Sequence, residues 1–89
     1  MVQKTVKIVN KLGLHARPAA MLVSTATRYE SEVHFTKSGL RVNGKSIMGV
    51  MMLAAEMGSD VTIEVTGSDE VAALEELERV IASGFGEAM

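Results

Sequence analysis

The chain has 89 residues, 47% of them hydrophobic and 22% charged, an ordinary globular balance that excludes a disordered polymer. It is one small domain over residues 1–89, too small to enclose a large ligand cavity, and with no cysteine it holds no disulfide, thiol nucleophile or cysteine zinc site. The net charge of −2 conceals a split: residues 1–45 sum to +6 (eight basic side chains, two acids) and residues 46–89 to −8 (one arginine, nine acids). Either one electropositive face steers a charged partner, or strands from the two halves pair and mix their charges.

The N-terminus MVQKTVKI carries lysines but no apolar h-region, so it does not read as a signal peptide. The longest apolar run, Ile47 to Ala55, falls far below the ~20 residues of a spanning helix. The expectation is a soluble domain. Cysteine absence favours a reducing compartment only weakly, because secretion is compatible with it too.

Val2, Val6 and Ile8 fall on one side of a first strand and Gln3, Thr5 and Lys7 on the other, with Lys4 breaking the pattern. Leu12-Gly13-Leu14 closes a loop. From Ala16 to about Thr27, Ala19, Leu22, Val23 and Ala26 recur at helical spacing, and Pro18 fits the first turn, where its missing N–H costs no intrahelical bond. Val33 and Phe35 alternate with Glu32, His34 and Thr36 in a second strand; Ser38-Gly39 turns into a third bearing Leu40 and Val42. Asn43-Gly44 ends that strand, and Ser46 can cap a short helix through about Leu53. Gly58-Ser59 precedes Val61, Ile63 and Val65, which alternate with Thr62, Glu64 and Thr66 in a fourth strand. Ser68 or Asp69 caps a last helix with Val71, Leu74, Leu77 and Ile81 facing inward, and Gly84 stops it. The order β-α-β-β-α-β-α, with strands that keep one wet face, predicts an α+β two-layer sandwich.

Gly13-Leu14-His15-Ala16-Arg17-Pro18 carries the chemistry. His15 immediately precedes a helix whose first amides lack intrahelical acceptors and whose dipole is positive there. That field disfavours an imidazolium and leaves a neutral, nucleophilic ring. An anion on the ring would meet waiting amides, and Arg17 adds a guanidinium suited to phosphoryl oxygens. Neutral nucleophile, amide cradle and cation are what a transient phosphohistidine needs. Spacing alone leaves open that His15 merely caps the helix and that Arg17 is a solvated surface residue. His34, the other imidazole, sits mid-strand, and two histidines without cysteine make no metal site.

Ser46 is accounted for by capping alone. The short helix offers Ile47, Met48, Met51 and Met52 on neighbouring positions, with Val50 and Leu53 pointing the other way. Core filling is the ordinary use of methionine, and Met52 is the candidate for it. Both sides of so short a helix cannot be buried in two layers, so one apolar side faces solvent, where flexible thioethers suit several partners.

Asn10-Lys11-Leu12-Gly13-Leu14-His15-Ala16-Arg17-Pro18-Ala19 resembles the active-site signature of the HPr family, the histidine phosphocarriers of the bacterial phosphotransferase system. Gly44-Lys45-Ser46-Ile47-Met48-Gly49-Val50-Met51-Met52-Leu53 resembles that family's second signature, at the family's spacing. The resemblance implies a single HPr domain, an open-faced sandwich in which three helices cover one face of a four-stranded antiparallel sheet. It implies that enzyme I, phosphorylated from phosphoenolpyruvate, passes the phosphoryl group to Nδ1 of His15. His15 then hands it to a sugar-permease IIA component, with Arg17 stabilising the group in transfer.

It further implies phosphorylation of Ser46 by an HPr kinase/phosphorylase, a transcriptional regulator as partner, and a docking face of Leu14, Ala16, Ala20, Ile47, Met48 and Met51. The expected protein is a cytoplasmic monomer, a covalent carrier rather than an autonomous enzyme, without cofactor or metal. On this reading the basic half, with His15, Arg17 and Lys45, meets acidic partners, and transfer rates fall as salt rises. A nitrogen-branch paralogue is the alternative, since Lys11-Leu12-Gly13 and Ser83-Gly84-Phe85 are similar to that branch. With one tyrosine and two phenylalanines, the chain lacks the paired aromatics that would stack nucleic-acid bases.

Overall fold

The computed structural model describes residues 1–87. Strands β1 (Val2–Lys7), β2 (Glu32–Lys37), β3 (Leu40–Asn43) and β4 (Asp60–Thr66) alternate with helices α1 (Ala16–Thr27), α2 (Ile47–Met52) and α3 (Glu70–Ala82) in the expected order. A short 3₁₀ turn, Gly84–Gly86, follows α3. The four strands form one antiparallel sheet in the order β1-β4-β2-β3.

Strand alternation decides the layers. Val61, Ile63 and Val65 of β4 pair with Val6, Lys4 and Val2 of β1, and Ile63 and Val65 also face Phe35 and Val33 of β2. This side is buried beneath the helices, against Ala19, Leu22 and Ala26 of α1 and Ala73, Leu77 and Ile81 of α3. The other side is wet: Thr5 and Thr62 share a 2.8 Å hydrogen bond, and Arg41 reaches Glu64 at 3.3 Å. Lys4 stands on the inward side, and its ammonium extends out to pair with Glu78 of α3. An inward-pointing lysine on an edge strand also discourages pairing with another chain.

One inward assignment changes. Val71 is 56% exposed; the face that meets the sheet runs through Ala73, Leu77 and Ile81, and Val71 lies too far round the helix to join it. Leu40, on the buried side's pattern, lies at the hairpin tip and is exposed. That hairpin turns through Ser38 and Gly39, both at positive φ (50° and 84°), as a two-residue turn that follows the strand twist requires.

Asp69 occupies the N-cap position of α3 without a side-chain cap bond. Its carboxylate instead accepts from the amides of Glu30 (2.9 Å) and Ser31 (3.0 Å) and from the Ser31 hydroxyl. These bonds hold its carboxyl below the usual range, the Ser31 hydroxyl contributing most. Arg28 and Tyr29, at the end of α1, both bond Glu76 of α3. The far end of α1 is therefore anchored by polar contacts, while its N-terminal end carries His15.

The charge split is resolved in favour of mixing. Among the described residues every ion pair joins the basic half to the acidic half, including Lys4–Glu78, Lys7–Asp60, Arg28–Glu76 and Arg41–Glu64. Lys45 donates to the Tyr29 carbonyl at 2.7 Å, at the opposite end of α1 from His15. The expected single positive face containing Lys45 is not formed, because antiparallel pairing and helix packing bring the halves together.

Candidate functional site

Gly13 builds the approach to His15. Its φ is +65°, and a Cβ there would lie 2.3 Å from the Ala55 carbonyl oxygen. Only glycine fits both the left-handed backbone and that contact. Leu14 then donates its amide to the same Ala55 oxygen at 2.9 Å. Asn10, wholly buried, donates Nδ2 to the Gly13 carbonyl at 2.9 Å. The loop is thus fixed on two sides just before the helix begins.

His15 is the N-cap residue of α1, in extended backbone geometry, and its ring makes no capping bond. Its carbonyl accepts the first intrahelical bond, from Ala19 at 3.0 Å, and the imidazole is left for other work. The simple capping role is excluded by this geometry. The ring is 39% exposed, and its Nε2 lies 3.0 and 2.9 Å from the two carboxylate oxygens of Glu87. Arg17, exposed, places Nη1 3.5 Å from Glu87 Oε2. Asn10 Nδ2 donates a second bond to Glu87 Oε1 at 3.0 Å.

Glu87 is the residue that sequence reading missed. It is 72 positions from His15 and lies in no motif. It is delivered by the turn after α3, where Gly84, Phe85 and Gly86 all take positive φ (70°, 58°, 72°) and Phe85 is buried. The apolar anchor at Phe85 between two glycines was the available signal. The hydrogen bond from His15, followed by that from Asn10 and the charge of Arg17, keeps the Glu87 carboxyl below its ordinary range despite some desolvation. The helix dipole is therefore not the only field on the ring; a carboxylate faces it from the other side.

Ser46 is the N-cap of α2 and accepts from the Gly49 amide at 3.1 Å. Val50 and Leu53 are buried, while Ile47, Met48, Met51 and Met52 are exposed, Met48 at 77%. Met52 is therefore not the core filler. Ala16 and Ala20 are exposed on α1, which packs beside α2. Leu14, expected on the docking face, is buried in the core, because its amide bond to Ala55 turns the side chain under the loop. A shallow groove of ≈ 470 Å³ runs along α1 between Arg17 and Arg28, lined also by Ala20 and Met21. His34 faces Glu64 and Asn43 across the sheet, remote from any other histidine. No metal-binding cluster occurs among the described residues, and none of their helices is long and apolar enough to cross a membrane.

The comparisons with known proteins agree with this geometry. A family model described as the PTS HPr component phosphorylation site matches residues 2–83. The phosphocarrier protein HPr of Treponema pallidum (strain Nichols) is 49% identical over 87 residues, spanning 98% of this chain and 99% of that protein. That of Cupriavidus necator is 51% identical over 87 residues, with 98% of each chain covered. Among solved structures, HPr-C-His from Thermoanaerobacter tengcongensis has a TM-score of 0.96 at 44% identity, with 100% of both chains covered. The chain belongs to the HPr family of phosphocarrier proteins of the phosphotransferase system. Its fold is the family's open-faced sandwich, and its function is that of a phosphocarrier with a histidine phosphorylation site.

Proposed function

We propose that His15 is the phosphoryl acceptor, taking the group on Nδ1 from phospho-enzyme I and donating it to sugar-permease IIA components. The observation that carries this reading is a partly exposed imidazole at the mouth of α1 that performs no capping bond. The helix's first amides and dipole favour an anion there. Arg17, exposed at the surface and sharing Glu87 Oε2 with the ring, is the cation that compensates phosphoryl charge during transfer. Positioning and charge compensation are most of what such a transfer requires.

Partners dock on the exposed apolar side of α2, Ile47, Met48 and Met51, continuous with Ala16 and Ala20 of α1. Leu14 supports this face from beneath. Ser46 is the regulatory site, modified by an HPr kinase/phosphorylase. A phosphate at this cap keeps acceptor oxygens near the Gly49 amide while adding about −1.5 to −2 of charge beside the docking face. A transcriptional regulator reads that state. The protein works as a single cytoplasmic domain over residues 1–89, a monomeric carrier needing no cofactor and binding no nucleic acid.

His15→Ala abolishes phosphate uptake from phosphoenolpyruvate and enzyme I while leaving the fold intact; Arg17→Ala slows uptake. Full uptake by the His15→Ala protein contradicts the reading. Parallel assays with sugar-type and nitrogen-type enzyme I assign the branch, with faster transfer from the sugar type expected.

A further inference from the structure

The carboxylate of Glu87 stands on the ring nitrogen that the phosphoryl group does not use. An ionised carboxylate only accepts hydrogen bonds, so the nitrogen facing it, Nε2, must carry the proton. In the neutral ring that leaves the lone pair on Nδ1. Among the described residues no group hydrogen-bonds Nδ1, whereas Nε2 meets both oxygens of Glu87. Glu87 is itself built in: its side chain is 13% exposed, and the buried Asn10 amide ties it to the Gly13 carbonyl at the loop.

We propose that Glu87 is a positioning residue that fixes His15 in its Nε2–H tautomer and supplies the counter-charge for the cationic ring formed when Nδ1 is phosphorylated. This rests on the reading of His15 as acceptor. The Nδ1 lone pair attacks phosphorus, the donor's bond to phosphorus breaks, and its electron pair stays on the donor. The ring then carries phosphorus on Nδ1 and the original proton on Nε2, with one positive charge facing Glu87. Donation to the next protein reverses these changes, so the Nε2 proton is held throughout and no proton transfer is needed. Carboxylates that orient a catalytic or metal-binding imidazole act in the same way. Arg17 completes the arrangement. In the resting protein it shares Glu87 Oε2 with the ring, and once phosphoryl oxygens arrive it turns to them, leaving the carboxylate's charge to the imidazolium.

The test combines nitrogen NMR of the free protein with transfer kinetics. In the unmodified protein the neutral His15 ring shows a protonated Nε2 and an unprotonated Nδ1. Glu87→Ala, which removes both acceptor and charge, gives a mixture of tautomers and slows phosphoryl acceptance from phospho-enzyme I by about 10–100-fold. Glu87→Gln retains an acceptor oxygen, so it keeps the tautomer yet still transfers more slowly than wild type. His34, distant on the sheet, serves as the internal reference and keeps its pattern in every variant. An unchanged tautomer in Glu87→Ala, or wild-type transfer rates in both variants, overturns the proposal. The tautomer is read without any partner, so it stands or falls separately from the assignment of His15 as acceptor.

Discussion

Gly13→Ala tests whether the loop before α1 is held as described. Two effects add at this position. The φ of +65° costs an L-residue about 1–2 kcal/mol. The new methyl would also sit 2.3 Å from the Ala55 oxygen, far inside the ~3.5–4.0 Å at which heavy atoms attract. Relieving that overlap pushes the loop away and breaks the 2.9 Å bond from the Leu14 amide, worth about 1 kcal/mol. A total near 3 kcal/mol is a large share of a small domain's stability of about 5–15 kcal/mol.

Gly39→Ala is the control, since its φ is +84° but no atom lies within 4 Å of the added carbon. It should lose only the backbone part, about 1 kcal/mol, or about 4–8 °C in Tm. Urea unfolding of both proteins reads the difference. Phosphoryl acceptance by the Gly13 variant, measured where it is still folded, should fall because His15 is displaced. Equal destabilisation of the two variants would refute the close approach at Gly13.

Three further outcomes are expected. Ser46→Ala loses about 1 kcal/mol of stability with its cap, whereas Ser46→Asp retains most of it because aspartate also caps; thermal melts distinguish these. Met48→Asp leaves stability within about 0.5 kcal/mol, as befits an exposed side chain, but weakens enzyme I binding by more than about 1 kcal/mol in a calorimetric titration. The folded-state carboxyl of Asp69 lies below its unfolded value of ~3.9, so its contribution is present above that pH and is lost as pH falls through the folded value. Asp69→Asn therefore shows a smaller loss of unfolding free energy between pH 7 and pH 3 than wild type.

The fold was legible because its signals are local. Val61, Ile63 and Val65 alternate cleanly, Ser38-Gly39 and Asn43-Gly44 are strong turn pairs, and Pro18 marks a first turn. The candidate site was legible in part, through His15 and Arg17 at one helix mouth. What escaped depends on tertiary geometry. Glu87 reaches His15 only because three positive-φ residues swing the chain back after α3. Asp69 serves the α1–β2 turn instead of its own helix because Ser31 and the Glu30 amide are brought beside it. Leu14 is buried by a backbone bond to Ala55 that no periodicity records. The charge segregation along the chain disappears for the same reason, since pairing in space ignores order in sequence.

The central claim is that Nδ1 of His15 carries the phosphoryl group. Incubation with phosphoenolpyruvate and enzyme I, followed by phosphorus and nitrogen NMR of the product, tests it most directly. The account predicts one acid-labile phosphate, coupled to Nδ1 of His15. A phosphate on Nε2, on His34 or in acid-stable form on Ser46 under these conditions would contradict it.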